Sequence, residues 1–436
     1  MARPLDEAVT RSAAACVAAA CLGLVVSCRR AHAPAPGAAE PAPVVRQLVT
    51  PAAPGSSVPS LAATADGRVL LSWVEPRSEG RHTLRFASRP VGGVWSEPLT
   101  VAEGKGWFVN WADFPHMAGL DDGTLFAHWL EKRPGGTTYD YDVRVTRSRD
   151  AGRSWDPPLS PYRDATAGEH GFVALAPVDA ARMGILFLDG RETKHKRGAM
   201  TLRFTALARE AAAEPDTRID ARVCDCCQTA LVRTTRGLVA AYRDRSDKEV
   251  RDIAVVRLED GRWSEPVLPA ADGWEIHGCP VNGPALAADG DRMALAWFTM
   301  AGDAPRVKVA FSGDAGVTWS PPSVVDDGQP IGRVDVVLLP RGTAGGLAGS
   351  SSAVVSWLEQ TDAGASLRLR RVAEGTNPPA SGGAGTASSA SLPVAGTSAA
   401  RSSGFPRMAL AGGELVVAWR DASEPARVTT AVVQLP

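Results

Sequence analysis

The chain lacks a surplus of charge of either sign and has few tyrosines. Its 436 residues include 47 Lys and Arg against 48 Asp and Glu, with no basic block, so nucleic acid is not an expected partner. After residue 27, no apolar run is long enough to span a membrane. Any chemistry that needs a phenol is limited to the four tyrosines, which are Tyr139, Tyr141, Tyr162 and Tyr242.

The amino-terminal region has the pattern of an export signal. Its apolar run, SAAACVAAACLGLVV, ends at Val26 and is too short for a spanning helix. The residues from Val25 to Cys28 resemble a bacterial lipobox, which implies that residues 1–27 are a lipoprotein signal peptide and that Cys28 is lipidated. A plain secretory signal is the alternative.

Residues 28–43 are rich in Pro and Ala and predict a tether, because such sequence cannot bury a core. The folded part, residues 44–436, is therefore expected outside the cytoplasm as an exported, membrane-anchored lipoprotein of the periplasm or outer membrane. Disulfides persist in that compartment.

Two segments share the turn pattern S-x-D-x-G-x-[ST]-W. They are SRDAGRSW at 148–155 and SGDAGVTW at 312–319. In such a turn the Asp carboxylate binds backbone amides, Gly supplies a positive φ, and Trp packs between sheets. The residues expected in these structural roles are Ser148, Asp150, Gly152, Trp155, Ser312, Asp314, Gly316 and Trp319.

A second pattern is an apolar strand that ends in an aromatic residue followed two positions later by an acid, as in Trp73-Val74-Glu75 and Trp357-Leu358-Glu359. Seven aromatic positions stand about 55 to 62 residues apart; six are followed by the acid, and Trp297 is followed by Thr299. This repeat predicts an all-β fold, a β-propeller of seven four-stranded blades, with six blades as the alternative. Residues 44–50 are expected to close the last blade, and the low-complexity segment 375–391 is expected to be an insertion.

With these turns, known as Asp-boxes or BNR repeats, the chain resembles the sialidase (neuraminidase) superfamily over nearly all of 44–436. The resemblance implies exo-α-sialidase-type glycoside hydrolysis, which uses an arginine cluster, a tyrosine nucleophile activated by a carboxylate, and an acid/base carboxylate. Sialidases of this type have six blades, so seven would be a departure. The Arg-Ile-Pro motif of the family is missing, so no catalytic residue is carried over.

The repeat register separates two faces of the propeller. Asp-box turns join the outer strands of a blade and mark the lower face, whereas the loops that enter each blade open on the upper face, where propeller ligands bind. The alternative is that the acids and arginines there form solvated ion pairs. The catalytic candidates on the upper face are Asp113, Tyr139, Tyr141, Glu169 and Asp189, and the ligand-binding candidates are His116, His170, Arg191, Arg222, Arg243, Arg245 and Arg407.

Three cysteines crowd the stretch VCDCCQT, at Cys224, Cys226 and Cys227, and a fourth lies at Cys279 in IHGCP beside His277. The entry loops of adjacent blades four and five bring them together. On an extended segment Cys227 would point away from the other two. Two disulfides are one prediction. Thiolates at C-x-C spacing near a histidine also suit Cu(I) or Zn(II), and a reactive redox pair is the third interpretation.

These features support three functions of different classes. The first is a lipid-anchored propeller that binds a glycan or an envelope protein through its upper face. The second is an exo-α-sialidase-type glycoside hydrolase, and the third is a metal-handling or thiol-redox protein. The expected partners are the glycan or envelope protein and, through the lipid anchor, the membrane, with the protein itself a monomer and no certain cofactor.

Overall fold

The structure, a computed structural model, describes residues 43–195, 198–342, 351–375 and 389–434. The predicted signal peptide, Cys28, residues 28–42 of the predicted tether and residues 376–388 of the predicted insertion lie outside the described residues. Within these ranges no helix has the length and apolar character needed to cross a bilayer. Regular structure there consists of strands and four single-turn 3-10 helices.

Twenty-seven strands are assigned in the described part of the chain. In order they are β1 (Val44–Leu48), β2 (Ser57–Ala63), β3 (Arg68–Pro76), β4 (Arg81–Pro90), β5 (Leu99–Lys105), β6 (Met117–Gly119), β7 (Leu125–Lys132), β8 (Tyr141–Ser148), β9 (His170–Pro177), β10 (Arg182–Asp189), β11 (Thr201–Ala208), β12 (Thr217–Asp220), β13 (Ala230–Thr234), β14 (Gly237–Arg243), β15 (Ile253–Glu259), β16 (Arg262–Trp263), β17 (Ala285–Asp289), β18 (Arg292–Thr299), β19 (Arg306–Ser312), β20 (Ser323–Val324), β21 (Pro330–Leu338), β22 (Ser352–Thr361), β23 (Gly364–Ala373), β24 (Leu392–Thr397), β25 (Arg407–Ala411), β26 (Glu414–Asp421) and β27 (Arg427–Gln434). The 3-10 helices are Ser78–Gly80, Thr193–His195, Ala301–Asp303 and Arg401–Ser403.

The strands form seven antiparallel sheets, each of which is one blade. Blades one and three to six are β2–β5, β9–β12, β13–β16, β17–β20 and β21–β24, and blade seven is β25–β27 with β1 at its outer edge. Blade two has three strands, β6–β8, and an isolated bridge between Val145 and Leu159 stands where its fourth strand would be. The prediction of seven blades is confirmed, and the alternative of six is wrong.

The two ends of the folded region meet in blade seven. Strand β1 pairs with β27 over five residues, from Val44 opposite Gln434 to Leu48 opposite Thr430. The Thr50 hydroxyl also donates to the Val428 carbonyl at 2.7 Å. This pairing joins the first strand to the last and confirms that residues 44–50 close the ring.

Buried apolar clusters lie between adjacent blades, because each sheet has two faces to cover. One cluster packs Leu71 of blade one against Val416 of blade seven, and another packs Val239 of blade four against Leu295 of blade five. The innermost strands surround a central channel of 1090 Å³. Each inner strand contributes to its wall, through Leu61, Met117, Ala174, Leu231, Leu286, Val337 and Ala409.

The Asp-box at 148–155 forms the turn that its sequence predicts. The Ser148 hydroxyl donates to Asp150 and accepts from the Gly152 amide, both at 2.8 Å, and Asp150 accepts from the Ser154 amide at 2.9 Å. Gly152 has φ of +83°, and a Cβ there would lie 2.2 Å from Phe86 of blade one. Trp155 packs edge-on against that Phe86 ring. The turn at 312–319 repeats the hydrogen bonds with Thr318 in place of Ser154.

The aromatic-x-acid pattern has a structural explanation. Residues two apart on a strand share one face, so the Trp73 indole reaches Glu75 at 2.7 Å and the Trp357 indole reaches Glu359 at 2.5 Å. Both carboxylates are buried. In these two blades the acid therefore accepts a hydrogen bond from its own blade core.

Replacing Trp357 with Phe removes this hydrogen bond and leaves the buried Glu359 carboxylate without its indole donor. The matched control is Trp155→Phe, because in the described residues the Trp155 indole N–H has no hydrogen-bond partner. We expect Trp357→Phe to lower the free energy of unfolding by about 1.5–3 kcal/mol more than the control, as measured by denaturant unfolding. Equal losses in the two variants would contradict this role of Glu359.

Candidate functional site

The upper face carries a buried cluster of one phenol and two carboxyls. Tyr141, at the start of β8, is fully buried and its hydroxyl lies 3.0 Å from Asp113 Oδ2 and 2.9 Å from Glu169 Oε1. Asp113 comes from the loop that enters blade two, and Glu169 from the loop that enters blade three. The structure thus brings together three of the five catalytic candidates. In the sequence, Asp113 and Glu169 each lie 28 residues from Tyr141.

The backbone around this cluster accommodates the close packing. Phe172 has φ of 51°, and its amide donates to Asp113 Oδ1 at 2.7 Å. A Cβ on Gly171 would lie 2.0 Å from Asp113 Oδ2 and 3.1 Å from the Tyr141 ring. Glycine at this position is therefore needed for Asp113 and Tyr141 to meet.

Burial and a neighbouring carboxylate raise the pKa of both carboxyls. Burial, aided by the charge of Glu169, raises the pKa of Asp113 to about 8, although the Phe172 amide and Tyr141 hydroxyl oppose the shift. Burial and the charge of Asp225 raise the pKa of Glu169 to about 7. A phenol has one proton for two acceptors, so one carboxyl must itself carry a proton. The more deeply buried Asp113 is the better holder of it.

An aromatic path connects this cluster to solvent. The Phe108 ring stacks on Tyr141 with centroids 4.1 Å apart and meets Tyr139 edge-on at 6.1 Å. Tyr139 is 58% exposed, and Glu169 is half-buried. The site therefore presents one carboxyl and one aromatic ring to the solvent, with the phenol of Tyr141 behind them.

The remaining catalytic candidate, Asp189, belongs to a separate ion-pair network. It lies 3.1 Å from His170 Nδ1 and accepts from Arg191 at 2.8 and 2.6 Å. Burial alone would raise the pKa of Asp189, yet the hydrogen bonds from His170 and Arg191 hold it well below its usual value. His170 is fully buried, and its other nitrogen lies 3.2 Å from the Thr166 carbonyl.

The other ligand-binding candidates also have partners within the protein. Arg222 pairs with Asp247 at 3.1 Å, Arg245 with Glu249 at 2.7 Å, and Arg407 with Asp335 at 3.4 Å. Arg243 donates only to backbone carbonyls, those of Arg251, Asn282 and Phe298. His116 lines the central channel and contacts the Ser60 hydroxyl at 3.2 Å.

The cysteines converge, as the blade register predicts, but their arrangement differs from an extended segment. The loop turns at Asp225 and Cys226, so that the sulfurs of Cys224, Cys226 and Cys227 all lie within 4.8 Å of one another. The shortest separation is 3.0 Å between Cys224 and Cys227, which have C-x-x-C spacing rather than the C-x-C spacing on which the prediction was based. The expectation that Cys227 points away from the other two is wrong.

The structure records Cys224, Cys226, Cys227 and Cys279 as free cysteines, and their pairing in solution stays a prediction. Hydrogen bonds from Cys226 and Cys227 lower the pKa of the Cys224 thiol well below its usual value. The Cys279 thiol interacts with that of Cys226, which lowers the pKa of Cys279. His277 is exposed and lies 3.6 Å from Glu275.

Three residues that matter here were not among the candidates. Phe108 stacks on Tyr141, Asp225 raises the pKa of Glu169, and Arg251 donates to the Cys224 sulfur at 3.5 Å. Asp225 could have been found, because it lies inside the cysteine motif. Arg251 and Phe108 carry no local signal, since only the packing of loops shows what they contact.

No protein-family model matches the chain, and no curated protein matches it in sequence. Among solved structures it is similar to a Hadza microbial sialidase at 14% identity and a TM-score of 0.46, over 80% of this chain and 73% of that one. It is similar to a GH93 α-L-arabinofuranosidase of Fusarium graminearum at 15% identity and a TM-score of 0.48, over 89% and 96%. A Trypanosoma rangeli sialidase matches at 13% identity and a TM-score of 0.45, over 87% and 60%. Sialidases are thus among the similar structures.

The raised pKa of Asp113 makes stability depend on pH. Its stabilising contribution is complete below the ordinary carboxyl pKa of 3.8 and is lost as the pH rises to about 8. We expect the free energy of unfolding to fall over this interval and Asp113→Asn to weaken the fall, because an amide does not titrate. Asp260→Asn, at an exposed turn residue, is the control. Denaturant unfolding at a series of pH values measures both, and identical slopes in wild type and Asp113→Asn would refute the assignment.

Proposed function

We propose that this protein is a lipid-anchored, extracytoplasmic propeller that binds a neutral glycan on its upper face, beside Glu169. The observation that carries the proposal is that a half-buried carboxyl and an exposed aromatic ring flank one buried phenol: Glu169 contacts Tyr141 directly, and Tyr139 reaches it through the Phe108 ring. Sugars combine hydroxyl groups, which hydrogen-bond to carboxyls, with apolar ring faces, which pack on aromatic rings. An envelope protein is the alternative partner.

The charges favour a neutral glycan over an acidic one. Recognition of a sugar carboxylate needs arginines that are free to form bidentate contacts. Arg191, Arg245 and Arg407 are each already paired with a carboxylate of the protein. Arg243 is buried, and its donors are satisfied by carbonyls. The carboxylates of Glu169 and Asp225 would also oppose an anionic ligand at this site.

Glycan binding is tested by titrating the protein with arabinobiose, longer neutral oligosaccharides and sialyllactose in a calorimeter. We expect a neutral sugar to bind and Tyr139→Ala to weaken binding by about tenfold or more, because the exposed ring is lost. Tyr139→Phe keeps the ring and is expected to bind as the wild type does. Preference for sialyllactose, or equal binding by Tyr139→Ala, would reject the proposed site.

The lipid anchor depends on Cys28. We expect the full-length protein, expressed in a bacterium, to partition into the detergent phase of a Triton X-114 extract and to carry acyl mass on the peptide that begins at Cys28. Cys28→Ala is expected to move the protein to the aqueous phase. An aqueous wild type cut by signal peptidase upstream of Cys28 would instead identify a plain secretory signal.

The protonation of Glu169 favours a second candidate function, glycoside hydrolysis. A carboxyl whose pKa is raised to about 7 can donate a proton to a leaving glycosidic oxygen near neutral pH. Asp225 is close enough for its charge to act on Glu169 and is the candidate second carboxylate. Tyr141 is fully buried, so it acts as a positioning residue for Glu169 rather than as the tyrosine nucleophile of the sialidase resemblance.

Turnover of chromogenic glycosides tests this second function. We expect Glu169→Gln to lower kcat by about 10²–10⁴-fold while leaving the protein folded. Since the acid must be protonated, activity should decline as the pH rises through about 7. Tyr141→Phe is expected to shift the pH of that decline, because it removes a hydrogen bond to Glu169. Binding without turnover of any glycoside would leave the protein as a binding propeller.

A further inference from the structure

The thiols of the upper face form a compact group at the junction of blades four and five. Cys224, Cys226 and Cys227 lie in the loop that enters β13, and Cys279 lies in the loop that enters β17. Cys224 and Cys227 are buried, Cys226 is half-buried, and Cys279 is exposed. The Cys279 thiol interacts with that of Cys226. Three sulfurs thus lie within 4.8 Å of one another, and Cys279 approaches that group from the neighbouring blade through Cys226.

The sulfur separations suit a shared metal ion. A tetrahedral site with metal–sulfur bonds of about 2.3 Å has its sulfurs about 3.8 Å apart. Cys224 Sγ lies 4.0 Å from Cys226 Sγ and 3.0 Å from Cys227 Sγ, values on either side of that separation. A disulfide needs about 2.05 Å, which is shorter than either separation. Small shifts therefore suffice to seat one ion among the three.

If the thiols were all neutral, the arginines around them would carry positive charge without a counter-ion. Arg251 is buried and donates to the Cys224 sulfur at 3.5 Å and to Glu249 at 2.7 Å. Arg245 pairs with Asp225 at 3.1 Å and with Glu249. Arg243 is also buried, and in the described part of the chain no carboxylate lies within ion-pair distance of it. The three guanidiniums thus have two carboxylate partners between them, Asp225 and Glu249, and the positive charge of Arg243 is left without one.

A buried cation without a counter-ion is costly. The thiols are therefore expected to supply the missing negative charge as thiolates. Three thiolates around a divalent ion such as Zn(II) carry a net charge of −1, which cancels the surplus, whereas three around Cu(I) carry −2, so the charges favour Zn(II). The exposed fourth thiolate, at Cys279, adds a charge that water can solvate. Histidine completes many such sites, but the His277 ring lies beside Glu275 and is 77% exposed, so Cys279 is the better fourth ligand.

We propose that Cys224, Cys226, Cys227 and Cys279 bind one thiophilic metal ion, Zn(II) or Cu(I), as thiolates, and that Arg251 and Arg243 neutralise the site. Both ions prefer sulfur ligands and accept three or four of them. The ion would join the entry loops of blades four and five, next to Asp225. This metal site does not depend on the proposed glycan site, so an experiment can refute one of the two proposals and leave the other standing.

The test is native mass spectrometry and elemental analysis of the full-length protein purified anaerobically without chelator, followed by alkylation and peptide mapping of the four cysteines. We expect one Zn or Cu ion per chain and thiols that become alkylated only after the metal is removed. Titration with Co(II) should give thiolate-to-cobalt charge-transfer absorption. Which of Zn and Cu is found identifies the natural ion.

Four variants test the ligand set by competition with a metal-binding dye. Cys226→Ser, at a half-buried position, is expected to weaken binding by at least about 100-fold. Cys279→Ser should weaken it less, because Cys279 is exposed and lies outside the close group of three thiols. Arg251→Gln should weaken it by about 10–100-fold. His277→Ala is the matched control from the same loop as Cys279 and should bind as the wild type does. Thermal unfolding confirms that each variant folds.

Two results would overturn the metal site itself. One is a disulfide between any two of these four cysteines in the anaerobically purified protein, detected as a linked peptide pair. The other is a reduced protein whose four thiols react freely and which takes up neither Zn(II) nor Cu(I) when they are supplied in excess. Loss of metal from His277→Ala with retention by Cys279→Ser would replace the proposed fourth ligand and so refute it as stated.

Discussion

The closed ring is the constraint on which every other feature of this molecule depends. A single blade cannot cover both of its faces, and the buried clusters accordingly lie between blades, as with Leu71 against Val416 and Val239 against Leu295. An open arc would leave two such faces in water. Pairing of β1 with β27 removes that exposure by joining blade seven through both ends of the folded region.

Ring closure also determines where polar groups can gather. Loops that enter the blades are forced together around the upper end of the channel, and their backbone groups need partners once they are buried. Several arginines supply these partners: Arg243 donates to three backbone carbonyls, and Arg333 donates to the carbonyls of Ala400 and Gly404. These guanidiniums stabilise loop packing and are not free for a ligand.

Two centres on this face limit the cost of buried charge in different ways. Around Tyr141, the single phenol proton can serve only one of the two carboxyls, so the other must stay protonated, and burial raises the pKa of both. Around Cys224, guanidiniums outnumber carboxylates, and thiolates are the groups available to balance them. Asp225 lies between the two centres, since it pairs with Arg245 and also raises the pKa of Glu169.

The sequence by itself determined the class of fold, the seven blades, the closing strand and the upper position of the entry loops. These follow from spacing, because a repeat of about 55 to 62 residues and two Asp-boxes specify local turns that need no knowledge of distant contacts. It also placed Asp113, Tyr141 and Glu169 among the candidates on the upper face, but it did not show that they contact one another. Only tertiary structure decided that these three share one hydrogen-bonded cluster while Asp189 pairs with His170 and Arg191. The convergence of three thiols likewise depends on a turn at Asp225 and Cys226. Such choices rest on packing between residues far apart in the chain, where one glycine such as Gly171 decides which side chains can approach.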